Sequence, residues 1–267
     1  MIHHTSTHIL NGAARHVLGE HVWQAGALKD VDRSRLDITH YAHLTREETI
    51  EIEDKANMIV RMNIPVEVLK LQRNDAEKKY GFRLYQGGVV PGKEIRVIKI
   101  GDWDVEACGG VHCSRTGDIG LIKIIKVERV QDGIERFEFV AGEPATKFFQ
   151  LQEDIVSKVS QLAEAQQEKL VDAVNRLVMD RNDLIKRQKV MFKRLSELSK
   201  DRIIDKAIKI SDVNVYFEVD GELGEDFHIM VGERVIDQNP SLIYCAIALE
   251  ERVARVIVFC GKDAQAR

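Results

Sequence analysis

His4-Thr5-Ser6-Thr7-His8 (residues 4–8) and Cys108-Gly109-Gly110-Val111-His112 (residues 108–112) are the two stretches that organise this sequence. Residues four apart on a helix share one face, so His4 and His8 can converge on one ion. Cys108 and His112 can complete a set of four ligands. Imidazole and thiolate together favour Zn²⁺, which binds histidine nitrogen at roughly 2.0 Å and cysteine sulfur at roughly 2.3 Å in tetrahedral geometry. The two stretches therefore predict a zinc site that joins distant parts of one folded unit.

The histidine pair alone also fits two histidines on a helix face that bind no metal. The glycines between Cys108 and His112 favour the metal site, since glycine lets the backbone turn tightly and approach a ligand without a Cβ in the way. Cys113 is left out of the site, because neighbouring side chains in an extended segment point apart. Surface or packing roles are expected for the remaining histidines of this region, His3, His16, His21, His40 and His43.

The sequence around both stretches resembles that of a known family. Residues 3–22 and 104–120 resemble the editing domain of alanyl-tRNA synthetase in its archaeal form, and the likeness continues through Arg35-Leu36-Asp37 and Asn63-Ile64-Pro65-Val66 over nearly the whole chain. The resemblance implies that zinc, held by His4, His8, Cys108 and His112, serves the hydrolysis of serine or glycine esters wrongly attached to tRNA(Ala).

Such an editing step is needed because a pocket for alanine rejects an isostere with an added hydroxyl by no more than about a hundredfold. Gln24 matches the family position credited with recognising the serine hydroxyl; an exposed strand residue is the alternative interpretation. Thr5, beside the first ligand, is a weaker candidate, for which helix packing or capping is the alternative. Val111 stands where the family commonly has a threonine, so one hydroxyl fewer is expected near the metal.

The composition indicates a folded protein with a substantial core, since 44% of the 267 residues are hydrophobic. The four cysteines form no dense disulfide framework, no secretory signal or membrane span is expected, and a reducing cytoplasm is the predicted compartment. A net charge of −4 means that any RNA-binding surface must consist of local patches.

The predicted fold class is α+β in three parts. Residues 1–142 are expected to form a zinc-binding editing domain of helices packed on an antiparallel sheet. It begins with a helix from His4 to about Gly19, then a hairpin with strands at residues 23–28 and 34–40. A capping box of Thr45 and Glu48 opens the next helix, and strands are predicted at residues 119–127 and 136–140.

Residues 143–202 are predicted to be helical. Leu170, Leu177, Leu184, Met191 and Leu198 recur every seven residues, whereas the upstream apolar stripe is out of register, with a break at residues 163–167. A long antiparallel helical hairpin or coiled coil explains this slip, and a single rod is the alternative. These five residues form a heptad seam, which could join two chains as a homodimer or pack within one chain.

Residues 203–267 are predicted to be a small, partial α/β domain. Short strands or mixed elements are expected at residues 213–219, 227–231, 242–249 and 253–259. The segment resembles the start of the synthetase's C-terminal globular domain, but the family's later glycine-rich segment is not found. Truncation is therefore expected. The ATP-using aminoacylation domain and the glycine-rich barrel that precedes the first histidine pair in the family are also expected to be absent.

Three functional hypotheses follow. The leading one is the C-terminal part of an alanine–tRNA ligase that hydrolyses seryl- or glycyl-tRNA(Ala) with zinc. The alternatives are a tRNA-binding and oligomerisation module whose zinc is purely structural, and a free-standing alanyl-tRNA editing protein.

Overall fold

The first helix, α1 (Ile2–Leu18), is enclosed on nearly all sides, with twelve of its 17 residues buried. Small side chains allow this close packing. The hydroxyls of Thr5, Ser6 and Thr7 each donate to the carbonyl four residues earlier, so these polar groups are satisfied inside the protein. Gly19, at a φ of 115°, ends the helix as predicted. The helix that carries His4 and His8 is thus also a central element of the core.

The computed structural model describes residues 1–86, 88, 90–250 and 253–265, and it divides into two units, residues 1–158 and 159–267. The elements of the first unit after α1 are β1 (Gln24–Lys29), β2 (Ser34–Thr39), α2 (Arg46–Arg61), β3 (Val66–Gln72), α3 (Arg73–Tyr80), β4 (Glu94–Ile100), β5 (Asp104–Ala107), β6 (Ile122–Gln131) and β7 (Ile134–Ala141). Helix α4 (Glu143–Leu162) begins in this unit.

Helices α1 and α2 contribute to one hydrophobic core with a four-stranded antiparallel sheet in the order β1-β2-β7-β6. The fully buried Leu36, Ile38, Phe137 and Phe139 lie on this sheet. The predicted β1–β2 hairpin and the capping box of Thr45 and Glu48 at the start of α2 are confirmed. The strand predicted from Ile119 begins later, because residues 116–119 form a 3-10 turn that ends at Gly120 with a φ of 82°.

A second antiparallel sheet, β3-β4-β5, is smaller and has its own apolar cluster around Ala76, Leu84, Ile95 and Val97. Strand β5 ends at Ala107, directly before Cys108. The glycine- and proline-rich composition of residues 86–92 predicts a loop, and Gly87 and Val89 of this segment lie outside the described residues.

The helical region consists of α4 and the 36-residue α5 (Leu170–Asp205). They are interrupted at residues 163–169, where the break was predicted. The antiparallel hairpin, the coiled coil and the three-part division of the chain at residues 142 and 202 stay predictions. Among the described residues, no helix is both long and apolar enough to cross a bilayer.

The second unit contains a four-stranded sheet in the order β11-β10-β9-β8, followed by the short helix α7 (Lys262–Gln265). Its strands are β8 (Ile208–Ile210), β9 (Val213–Asp220), β10 (Leu242–Glu250) and β11 (Val253–Cys260). Strands β9 and β10 are parallel, and α6 (Gly224–Gln238) connects them, as a parallel pair requires. The α+β class is therefore confirmed, with one parallel pair in this sheet.

The strand or mixed element predicted at residues 227–231 is wrong, because these residues lie within α6. Phe227, Val231 and Val235 are buried at four-residue intervals and belong to one hydrophobic cluster with residues of the sheet. Glu225 and Asp226 favour the first turn of the helix, where negative charge meets the positive end of the helix dipole.

His228 on α6 is the centre of a buried polar network. Its Nε2 lies 3.1 Å from Asp220 Oδ2, and its Nδ1 lies 2.6 Å from the Tyr244 hydroxyl. Tyr244 donates to Glu218 at 2.9 Å. Burial lowers the pKa of His228, but the carboxylates of Glu218 and Asp220 outweigh burial and raise it above its usual value. The network therefore favours a protonated His228 in the folded unit.

We expect the stability of residues 159–267 to fall as the pH rises through the folded-state pKa of His228. The folded state binds this proton more tightly than the unfolded chain, so the contribution is complete below the unfolded pKa of about 6.5 and is lost above the raised value. Urea unfolding at pH values from about 5.5 to about 9, monitored through the amide NMR signals of β9 and β10, measures this stability. His228→Gln should remove the dependence, and an unchanged dependence in that variant would contradict the assignment.

Candidate metal centre

The four predicted zinc ligands meet between α1 and the turn that follows β5. Ligand atoms of His4, His8, Cys108 and His112 all lie within 4.8 Å of one another. Tetrahedral ligands at zinc distances are separated by roughly 3.3–3.8 Å, so small side-chain movements bring the four atoms onto one ion. Two of the ligands come from one face of a buried helix, which holds them in a fixed relation.

The contacts within the cluster are close. Cys108 Sγ lies 3.2 Å from His4 Nε2, and the His112 ring centroid lies 4.4 Å from that of His4 and 4.7 Å from that of His8. Both ring nitrogens of His112 are buried, and neither has a hydrogen-bond partner among the described residues. Because buried polar atoms are normally paired, these nitrogens fit a metal ligand better than a packing side chain.

Arg96 on β4 fixes the turn that carries Cys108 and His112. Its Nη1 donates to the carbonyl oxygens of Cys108 and Gly110, each at 2.7 Å, and its own carbonyl accepts from the Cys108 N–H at 3.0 Å. Gly110 packs directly against the His4 ring, and a Cβ built at residue 110 would overlap the imidazole atoms. The turn can approach α1 this closely only because residue 110 has no side chain.

The electrostatics of the cluster favour a thiolate at Cys108. Burial raises the pKa of the thiol, but the imidazoles of His112, His4 and His8 outweigh this and lower it to about 3. Burial also lowers the pKa of His112, which keeps that imidazole neutral. A thiolate and a neutral imidazole are the forms in which these side chains bind zinc.

The chain is similar in sequence to known tRNA synthetases. A family model described as the threonyl and alanyl tRNA synthetase second additional domain matches residues 95–138, which include Cys108 and His112. Alanine–tRNA ligase of Methanococcus aeolicus is 40% identical over 282 residues, covering 100% of this chain and 31% of that protein. The enzyme of Pyrococcus abyssi is 47% identical over 225 residues, covering 84% of this chain and 24% of that protein.

This chain is homologous to part of alanine–tRNA ligase. The homology extends to the enzyme of Methanopyrus kandleri, at 40% identity over 263 residues that cover 98% of this chain and 28% of that protein. The chain thus spans between 24% and 31% of the length of these relatives, consistent with the predicted C-terminal portion.

The structure places the two residues predicted to recognise the serine hydroxyl in different settings. Thr5 is fully buried on α1; its hydroxyl donates to the Met1 carbonyl at 3.2 Å and accepts from the Cys113 N–H at 3.0 Å. Gln24 is half-buried at the start of β1, and its N–H donates to Gln86 Oε1 at 3.0 Å. The substrate-recognition roles of Thr5 and Gln24 stay predictions.

A cavity of about 810 Å³ opens beside the cluster. Its lining residues include His4, Val111 and the β1–β2 turn at residues 29–32, whereas Thr5 and Gln24 are not among them. Val111, 66% exposed, leaves its own part of the wall apolar.

Sequence reasoning missed a second group of polar residues beside the ligands. Asp104 and Glu106 on β5 are buried, and both carboxylates lie within hydrogen-bonding distance of His8 Nδ1. The signal was present, since positions 104, 106 and 108 alternate along an extended segment and share one face. Their partners Asn11 and Arg15 follow His4 and His8 on the same face of α1.

Proposed function

We propose that this chain is the editing part of an alanine–tRNA ligase and hydrolyses seryl- or glycyl-tRNA(Ala) at a zinc ion. The observation that carries the proposal is the convergence of His4, His8, Cys108 and His112 within 4.8 Å. Neither the homology to alanine–tRNA ligase nor the family match at residues 95–138 by itself specifies this reaction.

The residues present fit a zinc ion. They supply three imidazoles and a thiolate, and the buried ring nitrogens of His112 have no hydrogen-bond partner among the described residues. When bound, zinc can polarise an ester carbonyl or lower the pKa of a water molecule to about 7. The role of the chain is to hold the ligands in place: α1 fixes His4 and His8, and Arg96 fixes the turn with Cys108.

Selectivity for serine requires a polar group that pairs with the substrate hydroxyl, because an unpaired buried donor or acceptor costs about 1–3 kcal/mol. Gln24 is our candidate for this role. The Thr5 hydroxyl already donates one hydrogen bond and accepts another, which leaves it a single lone pair. We therefore place Thr5 second, as a residue that orients the start of α1.

We further propose three domains: the editing domain at residues 1–142, a helical hairpin at 143–202, and a partial C-terminal domain at 203–267. The partner is tRNA(Ala), and a homodimer could form through the helical or C-terminal region. Leu177, Leu184, Met191 and Leu198 of the heptad seam are 54–79% exposed, which favours a partner for α5.

The same exposed seam supports the second candidate function, a tRNA-binding and oligomerisation module with structural zinc. Four protein ligands close a tetrahedral shell, as in structural sites, whereas catalysis needs an open position. Sedimentation of the intact chain, and of a chain that ends near Gly142, tests the oligomeric part. A monomer in both cases would rule out the homodimer.

The decisive experiment measures bound metal and hydrolysis in the same preparation. We expect one bound zinc ion per chain. We also expect hydrolysis to release serine from seryl-tRNA(Ala) and glycine from glycyl-tRNA(Ala) without ATP, whereas alanyl-tRNA(Ala) is not hydrolysed. Chelation should stop hydrolysis, and added zinc should restore it. Bound zinc without hydrolysis would reject the editing function in favour of the structural module, and absence of zinc would reject both.

A further inference from the structure

Helix α1 and strand β5 face one another with complementary polar residues. Glu106 Oε2 lies 3.0 Å and Asp104 Oδ2 lies 3.2 Å from Nδ1 of His8. Asn11 Nδ2 donates to the other oxygen of Glu106 at 2.8 Å, and Arg15 Nη1 lies 3.5 Å from the other oxygen of Asp104. The two carboxylates therefore act on one nitrogen of one ligand.

The arrangement leaves the other nitrogen of His8 for the cluster. An imidazole has two ring nitrogens, and a hydrogen bond from Nδ1–H to a carboxylate determines both the tautomer and the orientation of the ring. We propose that Asp104 and Glu106 are positioning residues that hold Nδ1–H of His8 and direct its Nε2 towards the metal. This inference rests on the proposed function, since it requires that the cluster binds zinc.

Burial supports this role. The side chains of His8, Asp104 and Glu106 are 2%, 0% and 5% exposed, and a buried carboxylate is costly unless it is paired. Arg15 balances one of the two charges, and the ligand His8 is the partner that both carboxylates share. Carboxylates bonded to a ligating histidine also make the imidazole a stronger donor to the metal.

Substitution of either carboxylate tests the inference through metal affinity. Glu106→Gln keeps the size of the side chain, but its amide can serve only one of Asn11 and His8 correctly, because one end is now a donor. We expect Glu106→Gln and Asp104→Asn each to weaken Zn²⁺ binding by about 10–100-fold in competition with a chelator. Thermal unfolding of the metal-free proteins verifies that both variants fold.

The matched control is Glu135→Gln. Glu135 is a fully buried carboxylate in the same unit, 3.1 Å from Nδ1 of His43, a histidine outside the cluster. This variant loses the same charge next to a histidine that binds no metal. It should therefore keep the Zn²⁺ affinity of the unmodified chain.

A spectroscopic measurement separates positioning from a general structural role. At saturating Co²⁺, the visible spectrum of Asp104→Asn/Glu106→Gln should shift towards that of His8→Ala, because both have lost correct coordination by His8. An unchanged Co²⁺ spectrum, or Zn²⁺ affinities within about twofold of the unmodified chain in both single variants, would overturn the inference. Binding of a second Zn²⁺ that the variants lose would also overturn it, since the carboxylates would then be ligands. If the unmodified chain binds no zinc, the proposed function itself fails.

Discussion

His112→Ala is expected to abolish zinc binding and hydrolysis of seryl-tRNA(Ala) while residues 1–158 stay folded. The substitution removes one of the four ligands, and the ring nitrogens of His112 have no hydrogen-bond partner among the described residues, so the fold loses little else. Since loss of a group that merely supports a ligand lowers metal affinity by about 10–100-fold, loss of the ligand itself should exceed about 100-fold. Zinc content after dialysis and the rate of serine release are the two measurements.

Two controls make the result specific. Cys108→Ser should give the same double loss, whereas Cys245→Ser makes the same chemical change at a half-buried cysteine of β10, outside the cluster. Cys245→Ser is expected to keep both zinc and activity. Full hydrolysis in a folded, zinc-free His112→Ala protein would exclude this cluster as the editing site.

Gly110→Ala is expected to have nearly as large an effect, although it removes no ligand. The new Cβ would occupy the position of the His4 imidazole, so either the ring or the turn must move. Arg96 holds the turn through the carbonyl oxygens of Cys108 and Gly110, and His4 is therefore the group that yields. We expect a loss of zinc affinity of at least about 100-fold, comparable to removal of a ligand, measured by chelator competition.

Gly109→Ala is the matched control for this prediction. A Cβ at residue 109 would have no atom within 4 Å among the described residues, so the same substitution one position earlier should be tolerated. If both variants bind zinc as tightly as the unmodified chain, the close approach of residue 110 to His4 is not required. A parallel loss in both would assign the effect to the flexibility of the turn.

Local rules were enough to predict much of the first unit. The i to i+4 spacing placed His4 and His8 on one helix face, Gly19 marked the end of α1, and Thr45 with Glu48 marked the start of α2. Each depends on residues close together in sequence. The convergence of His4, His8, Cys108 and His112 was predictable for a different reason, because the chemistry of zinc restricts which side chains belong together.

The features that were missed depend on tertiary contacts. A short apolar run at residues 227–231 fits a strand as well as a helix, and α6 forms because a crossover must connect the parallel strands β9 and β10. Asp104 and Glu106 resemble ordinary acidic residues until β5 is placed against α1. The contact that gives them a role joins residues 95 or more positions apart.

The pairing of α1 with the turn after β5 also bears on synthesis of the protein. His4 and Cys108 are 104 positions apart, so a ribosome must translate more than a hundred residues after His4 before the two side chains can meet. A nascent chain that stalls before this point displays two histidines on an unsupported helix and has no complete binding set. At the zinc site that we propose, capture of the metal therefore follows synthesis of the turn after β5 and accompanies the folding of residues 1–158.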